Sequence, residues 1–192
     1  MFFKQEDAGL AWKLNRTVAL VGMMGAGKTA VGMALARKLS VPFVDSDAEI
    51  EEAANRTIAE IFERDGEAFF REKEAQVISR LLDGSRVILS TGGGAFLAER
   101  NREAIAARGV AVWLKADADL LWNRVRHKTN RPLLRTENPY ETLSALCTTR
   151  APFYSKAGVI VEAETGMPIE AMAQKVLSAL AAHQDILEEI PA

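Results

Sequence analysis

The chain has 192 residues, of which 48% are hydrophobic and 26% charged, and its formal net charge is −2 at pH 7. This composition is typical of a globular protein, the length favours one domain over residues 1–192, and the charge balance gives no bulk attraction for nucleic acid or anionic membrane. No uninterrupted apolar run is long enough to span a bilayer, and the leading residues lack the apolar stretch of a secretory signal.

Short apolar runs rich in β-branched residues alternate with helical patterns along the chain. Continuous runs of this kind are typical of parallel strands that are buried on both faces. Helices between such strands indicate an α/β fold with right-handed crossovers, here a three-layer sandwich around a five-stranded parallel sheet. The order of the strands does not follow from the sequence. The predicted strands are residues 17–22, 42–47, 86–91, 110–116 and 159–163.

The stretch GMMGAGKT, from Gly22 to Thr29, follows the first predicted strand, begins the first predicted helix and matches the pattern G-x-x-x-x-G-K-[ST]. Small residues let such a loop wrap around a phosphate, and the helix N-terminus adds a partial positive charge. Lys28 can reach the β- and γ-phosphates, and the Thr29 hydroxyl can ligate Mg²⁺. The alternative is a glycine-rich turn followed by a chance Lys-Thr. The predicted nucleotide-binding residues of this loop are Gly25, Ala26, Gly27, Lys28, Thr29 and Ala30.

Asp45 and Asp47 end the second predicted strand, at the sheet edge where ligands bind in open α/β folds. Extended backbone would point both side chains the same way. One carboxylate can hold Mg²⁺ through water, and the other can orient or deprotonate a hydroxyl nucleophile. Alternatively, Asp47 is the N-cap of the following helix. The phosphate-binding motif nearby favours the functional interpretation.

Two arginines have open roles at this point. Arg71 lies on an amphipathic helix predicted over residues 66–82 and can pair with Glu74 at i+3, as a solvated ion pair would. Arg150 precedes a predicted helix end and can equally be a surface or capping charge. A planar guanidinium binds a carboxylate through two parallel hydrogen bonds, which lysine cannot reproduce, so both are candidate substrate ligands.

Three consecutive glycines, Gly92 to Gly94, follow the third predicted strand. Glycine loses more backbone freedom on folding than any other residue, so the triplet indicates a backbone that some group approaches closely. A glycine-rich turn between strand and helix is the alternative. Residues 127–139 are polar, basic and turn-rich, which predicts a mobile loop.

In their order along the chain, the stretches GMMGAGKT, FVDSD, GEAFFREKE, STGGG, NRPLL and RAPFY resemble shikimate kinases, small members of the nucleoside-monophosphate-kinase-like group. The similarity extends from about Asn15 to about Ala182. It implies a P-loop kinase fold with a mobile lid at residues 127–139, and ATP and Mg²⁺ as cofactors. It also implies transfer of the ATP γ-phosphoryl group to the 3-hydroxyl of shikimate, a step of aromatic amino acid biosynthesis.

The resemblance implies roles for individual residues on the acceptor side. Asp47 would bind the ring hydroxyls and act on the one that is phosphorylated. The triplet Gly92–Gly94 would approach the ring, with the Gly93 backbone N–H as a donor. Arg71 and Arg150 would grip the shikimate carboxylate.

On the donor side, the resemblance makes Asp45 a partner of Thr29 at Mg²⁺. Arg131, in the lid, would reach the ATP phosphates on closure and share catalysis with Lys28 and Asp47. An arginine that arrives only on closure stabilises charge on the transferring phosphoryl group. Arg124 would pack on the adenine.

The sequence also departs from the family pattern. Lys156 stands where the family usually has a glutamate, and no convincing adenine-side residue is present around Thr165–Pro168. Residues 1–15 are an extension to which we assign no role, and residues 183–192 are expected to form a loosely held acidic tail.

Other interpretations remain open at this stage. One keeps the ATP site but changes the acceptor, for example to gluconate or a nucleoside monophosphate. Another is a non-catalytic nucleotide-binding switch, which leaves the two arginines and Asp47 without a purpose. The single cysteine, Cys147, excludes an internal disulfide and suits a reducing compartment. We therefore expect a cytoplasmic monomer that binds a small molecule and neither nucleic acid nor membrane.

Overall fold

The computed structural model describes residues 11–128 and 132–190. Its main sheet has five parallel strands in the order β3-β4-β2-β5-β6, which confirms the predicted five-stranded sheet. Each predicted strand lies within two residues of an observed one at either end. The strands of this sheet are β2 (Thr17–Val21), β3 (Phe43–Asp45), β4 (Ile88–Ser90), β5 (Gly109–Lys115) and β6 (Val159–Glu162).

Helices connect the strands and flank the sheet. Helix α1 packs beside α7, and α3 packs beside α4. Among the described residues, no helix has both the length and the apolar character needed to cross a membrane. The helices are α1 (Lys28–Leu39), α2 (Ser46–Ala54), α3 (Ile58–Asp83), α4 (Glu99–Arg108), α5 (Ala118–Val125), α6 (Pro139–Tyr154) and α7 (Ile169–Ala181), with short 3₁₀ turns at Ala95–Leu97 and Pro132–Leu134.

The core is centred on β2, where every residue is buried. This strand lies between β4 and β5, so its side chains meet helices on both faces of the sheet, as its unbroken apolar run predicts. Full burial of one such aliphatic side chain contributes roughly 1.5–3 kcal/mol. The central strand therefore holds the loop that follows it in a fixed place.

Helix α3 bends at Gly66, whose φ of 83° and ψ of 169° are not helical. The first part begins with the predicted capping box, in which the Thr57 hydroxyl accepts from Glu60 N–H and the Glu60 carboxylate accepts from Thr57 N–H. The second part corresponds to the helix predicted over residues 66–82. This second part carries Arg71.

The two chain ends form a separate two-stranded ribbon, in which β1 (Ala11–Leu14) pairs antiparallel with β7 (Leu187–Ile190). The expectation of a loosely held tail is wrong for these residues. Leu187 is buried against the main core together with Leu14, whereas Glu188 and Glu189 face solvent. Leu187 is the buried residue of a strand whose other positions are exposed, and its two exposed glutamates account for the acidic composition that suggested a loose tail.

Candidate functional site

The carboxyl ends of β2, β3 and β4 meet at one edge of the sheet, beside a cleft of about 570 Å³. The strand order makes the loops after these three strands neighbours, although they are distant in sequence. The cleft is lined by the glycine-rich loop after β2, by Asp45 and Asp47 at the end of β3, and by Gly92 and Gly93 after β4. The three predicted parts of the site are therefore brought together.

The glycine-rich loop joins β2 to α1. Gly25 and Gly27 have φ values of 81° and 93°, a left-handed backbone that favours glycine, and Gly27 is the N-cap of α1. Lys28 Nζ donates to the carbonyls of Gly22 at 2.8 Å and Met23 at 3.1 Å. The lysine thus lies across its own loop, at a helix N-terminus that attracts anions.

Thr29 and Asp45 lie together at the edge of the loop. The Thr29 hydroxyl donates to Asp45 Oδ2 at 3.3 Å, and Asp45 Oδ1 caps α2 by accepting from the N–H groups of Asp47 and Ala48. The two aspartates would point the same way only if the strand stayed extended, and this condition is not met, because the chain becomes helical at Ser46. Asp45, rather than Asp47, is the N-cap.

These oxygens fit a hydrated Mg²⁺ ion. Mg²⁺ prefers oxygen ligands and is usually held by one or two carboxylates together with substrate phosphates and water. Thr29 and Asp45 supply a hydroxyl and a carboxylate beside the phosphate loop. The described residues contain no cluster of three acidic, histidine or cysteine side chains that would hold a metal without the nucleotide.

Asp47 lies in the first turn of α2 and lines the cleft. Its Oδ1 atom is buried and has no hydrogen-bond partner among the described residues. Burial raises the pKa of this carboxyl from 3.8 to about 6, with a further rise from Asp45 and an opposing effect of Lys28. An unpartnered buried carboxylate oxygen can accept a hydrogen bond, and then a proton, from a ligand in the cleft.

Arg71 is oriented by two glutamates of its own helix. Its Nη1 donates to both carboxylate oxygens of Glu74 at 3.0 and 3.1 Å, and its other nitrogens reach the exposed Glu67. Glu74 is buried, which raises its pKa, while the charge of Arg71 acts in the opposite direction. The pair is therefore not the solvated ion pair that was the alternative, and it fixes the guanidinium in place.

Both arginines approach the glycine triplet. A Cβ at Gly94 would stand 2.6 Å from Arg71 Nη2, and a Cβ at Gly93 would stand 3.8 Å from Arg150 Nη1. Both guanidinium groups thus approach neighbouring glycines, from α3 and α6. The fold therefore brings two arginines that are distant in sequence to adjacent glycines, as joint binding of one small acid requires.

Arg124 also lines the cleft, and its Nη1 donates to the carbonyls of Gly25 and Ala26 at 3.2 and 3.4 Å. Met167 and Ile169, which follow β6, line the same cleft. The sequence analysis missed this apolar wall, because no motif marks it. The only available signal was the position of apolar residues directly after a strand, at the ligand-binding edge of the sheet.

Arg131 lies outside the described residues, so its predicted place in a lid stays a prediction. Of the predicted lid, residues 127–128 and 132–139 are described, and Lys128 lines the cleft. Cys147 is half-buried on α6, and burial raises its thiol pKa.

Comparison with known proteins gives a consistent result. A family model described as shikimate kinase matches residues 24–181. The shikimate kinase of Cereibacter sphaeroides is 65% identical over 176 residues, which cover 92% of this chain and 88% of that protein. The shikimate kinase of Ruegeria pomeroyi is 61% identical, with 96% and 94% covered. The solved shikimate kinase of Acinetobacter baumannii in complex with shikimate superposes with a TM-score of 0.83 at 40% identity, over 88% of this chain and 94% of that chain. The chain therefore belongs to the shikimate kinase family.

Proposed function

We propose that this cleft transfers the γ-phosphoryl group of ATP to the 3-hydroxyl of shikimate, giving shikimate 3-phosphate and ADP. The activity follows from family membership, and the reaction is a step of chorismate biosynthesis. One observation supports the assignment of residues: Asp47, Gly92 and Gly93 line the same cleft as the phosphate loop, and the guanidinium groups of Arg71 and Arg150 approach Gly94 and Gly93.

On the donor side, the N–H groups of Gly25 to Ala30 surround the β-phosphate, and Lys28 turns from its own loop carbonyls toward the phosphate oxygens. Thr29 and Asp45 hold Mg²⁺, which neutralises charge on the phosphates when it is bound. Arg124 and the apolar wall of Met167 and Ile169 enclose the adenine.

On the acceptor side, Arg71 and Arg150 bind the shikimate carboxylate, and Gly93 N–H donates to the ring substituents. Among the described residues, Gly93 N–H has no protein acceptor, so it is available to a ligand. Asp47 accepts from the hydroxyl that is phosphorylated. Its pKa of about 6 leaves it ionised at neutral pH and close enough to that pH to take a proton.

The reaction needs no covalent enzyme intermediate. The shikimate hydroxyl oxygen forms a bond to the γ-phosphorus while the bond from that phosphorus to the bridging oxygen breaks. The electron pair of that bond leaves with ADP, and the hydroxyl proton passes to Asp47. Lys28 and, as the sequence predicts, Arg131 stabilise the charge that spreads over the transferring group.

All of the proposed groups belong to one chain, so a monomer is sufficient for catalysis. The donor, ATP, and the single half-buried cysteine suit the cytoplasm. We therefore propose a cytoplasmic monomer. Light scattering of the purified protein measures its molar mass and so checks the oligomeric state.

A coupled assay of ADP release with purified protein and MgATP tests the function. Shikimate is expected to stimulate ADP release, and its methyl ester, which lacks the negative carboxylate, is expected to stimulate far less. Gluconate and nucleoside monophosphates serve as alternative acceptors. Stimulation by one of these and not by shikimate would overturn the proposed acceptor.

A variant of the phosphate loop separates a kinase from a nucleotide-binding switch. Lys28→Met is expected to lose turnover by more than about a thousandfold, because the loop then lacks the charge that meets the transferring phosphoryl group. Circular dichroism and the melting temperature are expected to stay near those of the wild type. Retained turnover in this variant would contradict the role of Lys28.

A further inference from the structure

Tyr154 is a buried tyrosine at the end of α6 to which nothing above assigns a role. Its hydroxyl donates to the carbonyl oxygen of Gly93 at 2.5 Å. Met23 Sδ lies 3.8 Å from the same hydroxyl, but a sulfur is a much weaker acceptor than a carbonyl. The single hydroxyl proton therefore belongs to the contact with the glycine triplet.

The phenol is held firmly in this position. Its ring lies beside that of Trp113 on β5, with ring centroids 5.8 Å apart. Burial raises the pKa of the Tyr154 hydroxyl, although the charge of Arg150 acts against the rise. A neutral phenol on a packed ring is a fixed hydrogen-bond donor.

The glycine triplet needs such a donor. Gly92 and Gly94 accept hydrogen bonds at 3.1 Å from Ala95 and Leu97, which lie only three residues further along the chain. The Gly92 N–H also donates to Ser46 Oγ on α2 at 3.4 Å, but none of these bonds holds the Gly93 carbonyl. Glycine backbone rotates more freely than that of any other residue. The Tyr154 hydroxyl is the contact that ties the Gly93 carbonyl to a helix.

Tyr154 is also a near neighbour of Arg150, the second arginine that we propose binds the shikimate carboxylate. Arg150 lies four residues before Tyr154 on α6, so both side chains are on one face of the helix. The positive charge of Arg150 opposes the rise in the pKa of the Tyr154 hydroxyl, as expected of a guanidinium one helical turn away. The same guanidinium lies 3.8 Å from where a Cβ of Gly93 would be. The Tyr154 hydroxyl thus bonds the Gly93 carbonyl, and the Arg150 guanidinium, from the same face of the helix, borders the same glycine.

We infer that Tyr154 is a positioning residue for the acceptor. It sets the orientation of the Gly93 peptide and of Arg150, so that both meet the carboxylate-bearing ring in the correct geometry. This inference rests on the proposed function, which places Gly93 and Arg150 at that ring. Tyr154 itself does not touch the reacting atoms.

The substitution Tyr154→Phe removes the hydroxyl and keeps the ring. It leaves the part-buried Gly93 carbonyl without its donor, so we expect KM for shikimate to rise about tenfold, while KM for ATP and kcat stay within about twofold. Loss of folded protein would instead lower the apparent kcat and leave the KM values for shikimate and ATP unchanged. A KM for shikimate within twofold of the wild type, or equal effects on both substrates, would overturn the inference.

Tyr140→Phe is the matched control. Tyr140 is on the same helix and donates its hydroxyl to Asp119 at 2.6 Å, outside the cleft. Its substitution removes one phenol hydrogen bond and is expected to leave both KM values unchanged. Wild-type protein that is not stimulated by shikimate would contradict the proposed function, whereas a working wild type with an unaffected Tyr154→Phe variant contradicts only the present inference.

A second measurement keeps the tyrosine hydroxyl at position 154. The chain has two tyrosines, so 3-fluorotyrosine incorporated into the Tyr140→Phe protein places fluorine at Tyr154 alone, next to its hydroxyl. We expect saturating shikimate to shift this ¹⁹F resonance, because the ligand engages Gly93 and Arg150. An unmoved resonance would overturn the inference even if Tyr154→Phe failed to fold.

Discussion

Asp47 and Gly92 occupy adjoining space, since a Cβ at position 92 would stand 2.7 Å from Asp47 Oδ1. Glu74 would be the next nearest, at 3.2 Å. The absence of a side chain at Gly92 therefore lets two buried carboxylates approach the end of β4. The triplet therefore makes room for the protein's own carboxylates as well as for the proposed ligand.

Gly92→Ala is expected to displace the Asp47 carboxylate, because the new methyl group would occupy the space beside its Oδ1. We expect kcat/KM for shikimate to fall by about a hundredfold, as a misplacement of about 1 Å can cause. Steady-state assays measure the effect. Gly84→Ala is the control, since a Cβ there would be 3.6 Å from the nearest atom, an ordinary contact. Equal activity of the two variants would contradict this role of Gly92.

Gly93→Ala tests the space that we assign to the ligand. A Cβ at this position has its nearest protein atoms at 3.8 Å, so the variant is expected to fold with nearly unchanged melting temperature. The methyl group would instead meet the substrate, and we expect the dissociation constant of shikimate to rise at least tenfold. Titration calorimetry gives this constant. Unchanged affinity in a folded protein would remove Gly93 from the acceptor site.

Glu74→Gln is expected to release Arg71 from its fixed orientation. The amide keeps the shape of the buried side chain but not its charge, so the guanidinium loses its ionic partner. We expect KM for shikimate to rise about tenfold and KM for ATP to change little. Glu67→Gln is the matched control on the same arginine, and it should have less than a twofold effect because exposed ion pairs contribute little. Equal effects of both variants would contradict the positioning role of Glu74.

The raised pKa of Asp47 predicts a pH-dependent effect of Asp47→Asn on stability. The folded protein holds the Asp47 proton up to about pH 6, whereas the unfolded chain releases it near 3.8. The stability that this proton contributes is complete below 3.8 and is lost as the pH rises through about 6. The Asp47→Asn variant has no titrating carboxyl at this position, so it does not lose this stability as the pH rises.

We therefore expect Asp47→Asn to gain free energy of unfolding relative to the wild type between pH 4 and pH 8, by on the order of 2 kcal/mol. Urea unfolding in EDTA, without nucleotide, measures the difference at each pH with no divalent cation near Asp45. A difference that is the same at both pH values would mean that Asp47 titrates normally in the folded protein.

The terminal ribbon predicts an effect on stability without an effect on catalysis. Leu187→Ala removes a buried side chain, and we expect it to lower the free energy of unfolding by about 2–3 kcal/mol. Glu189→Ala, at an exposed position of the same strand, should change the free energy of unfolding by less than about 0.5 kcal/mol. Both variants should keep wild-type KM values. Equal stability of the two would indicate that β7 is not held by its apolar contact.

Much of the site could be predicted because its parts are local. The phosphate loop needs small residues, a lysine and a hydroxyl at fixed spacing, and these are adjacent in sequence from Gly22 to Thr29. The capping box of Thr57 and Glu60 is equally local. By contrast, Met167 and Ile169 were missed, because an apolar wall has no sequence motif of its own. The acidic residues near the C-terminus suggested a loose tail, because the pairing of β1 with β7 joins segments from opposite ends of the chain.

The sequence by itself determined the α/β class, the phosphate-binding loop and the residue types of the acceptor side, since periodicity and short motifs depend on neighbouring residues. Only the tertiary structure decided that Arg71 and Arg150 reach neighbouring glycines and that Tyr154 bonds the Gly93 carbonyl. The strand order β3-β4-β2-β5-β6 brings these groups together. The physical reason is that packing of helices on a sheet determines which distant residues meet, and this packing depends on the whole core at once.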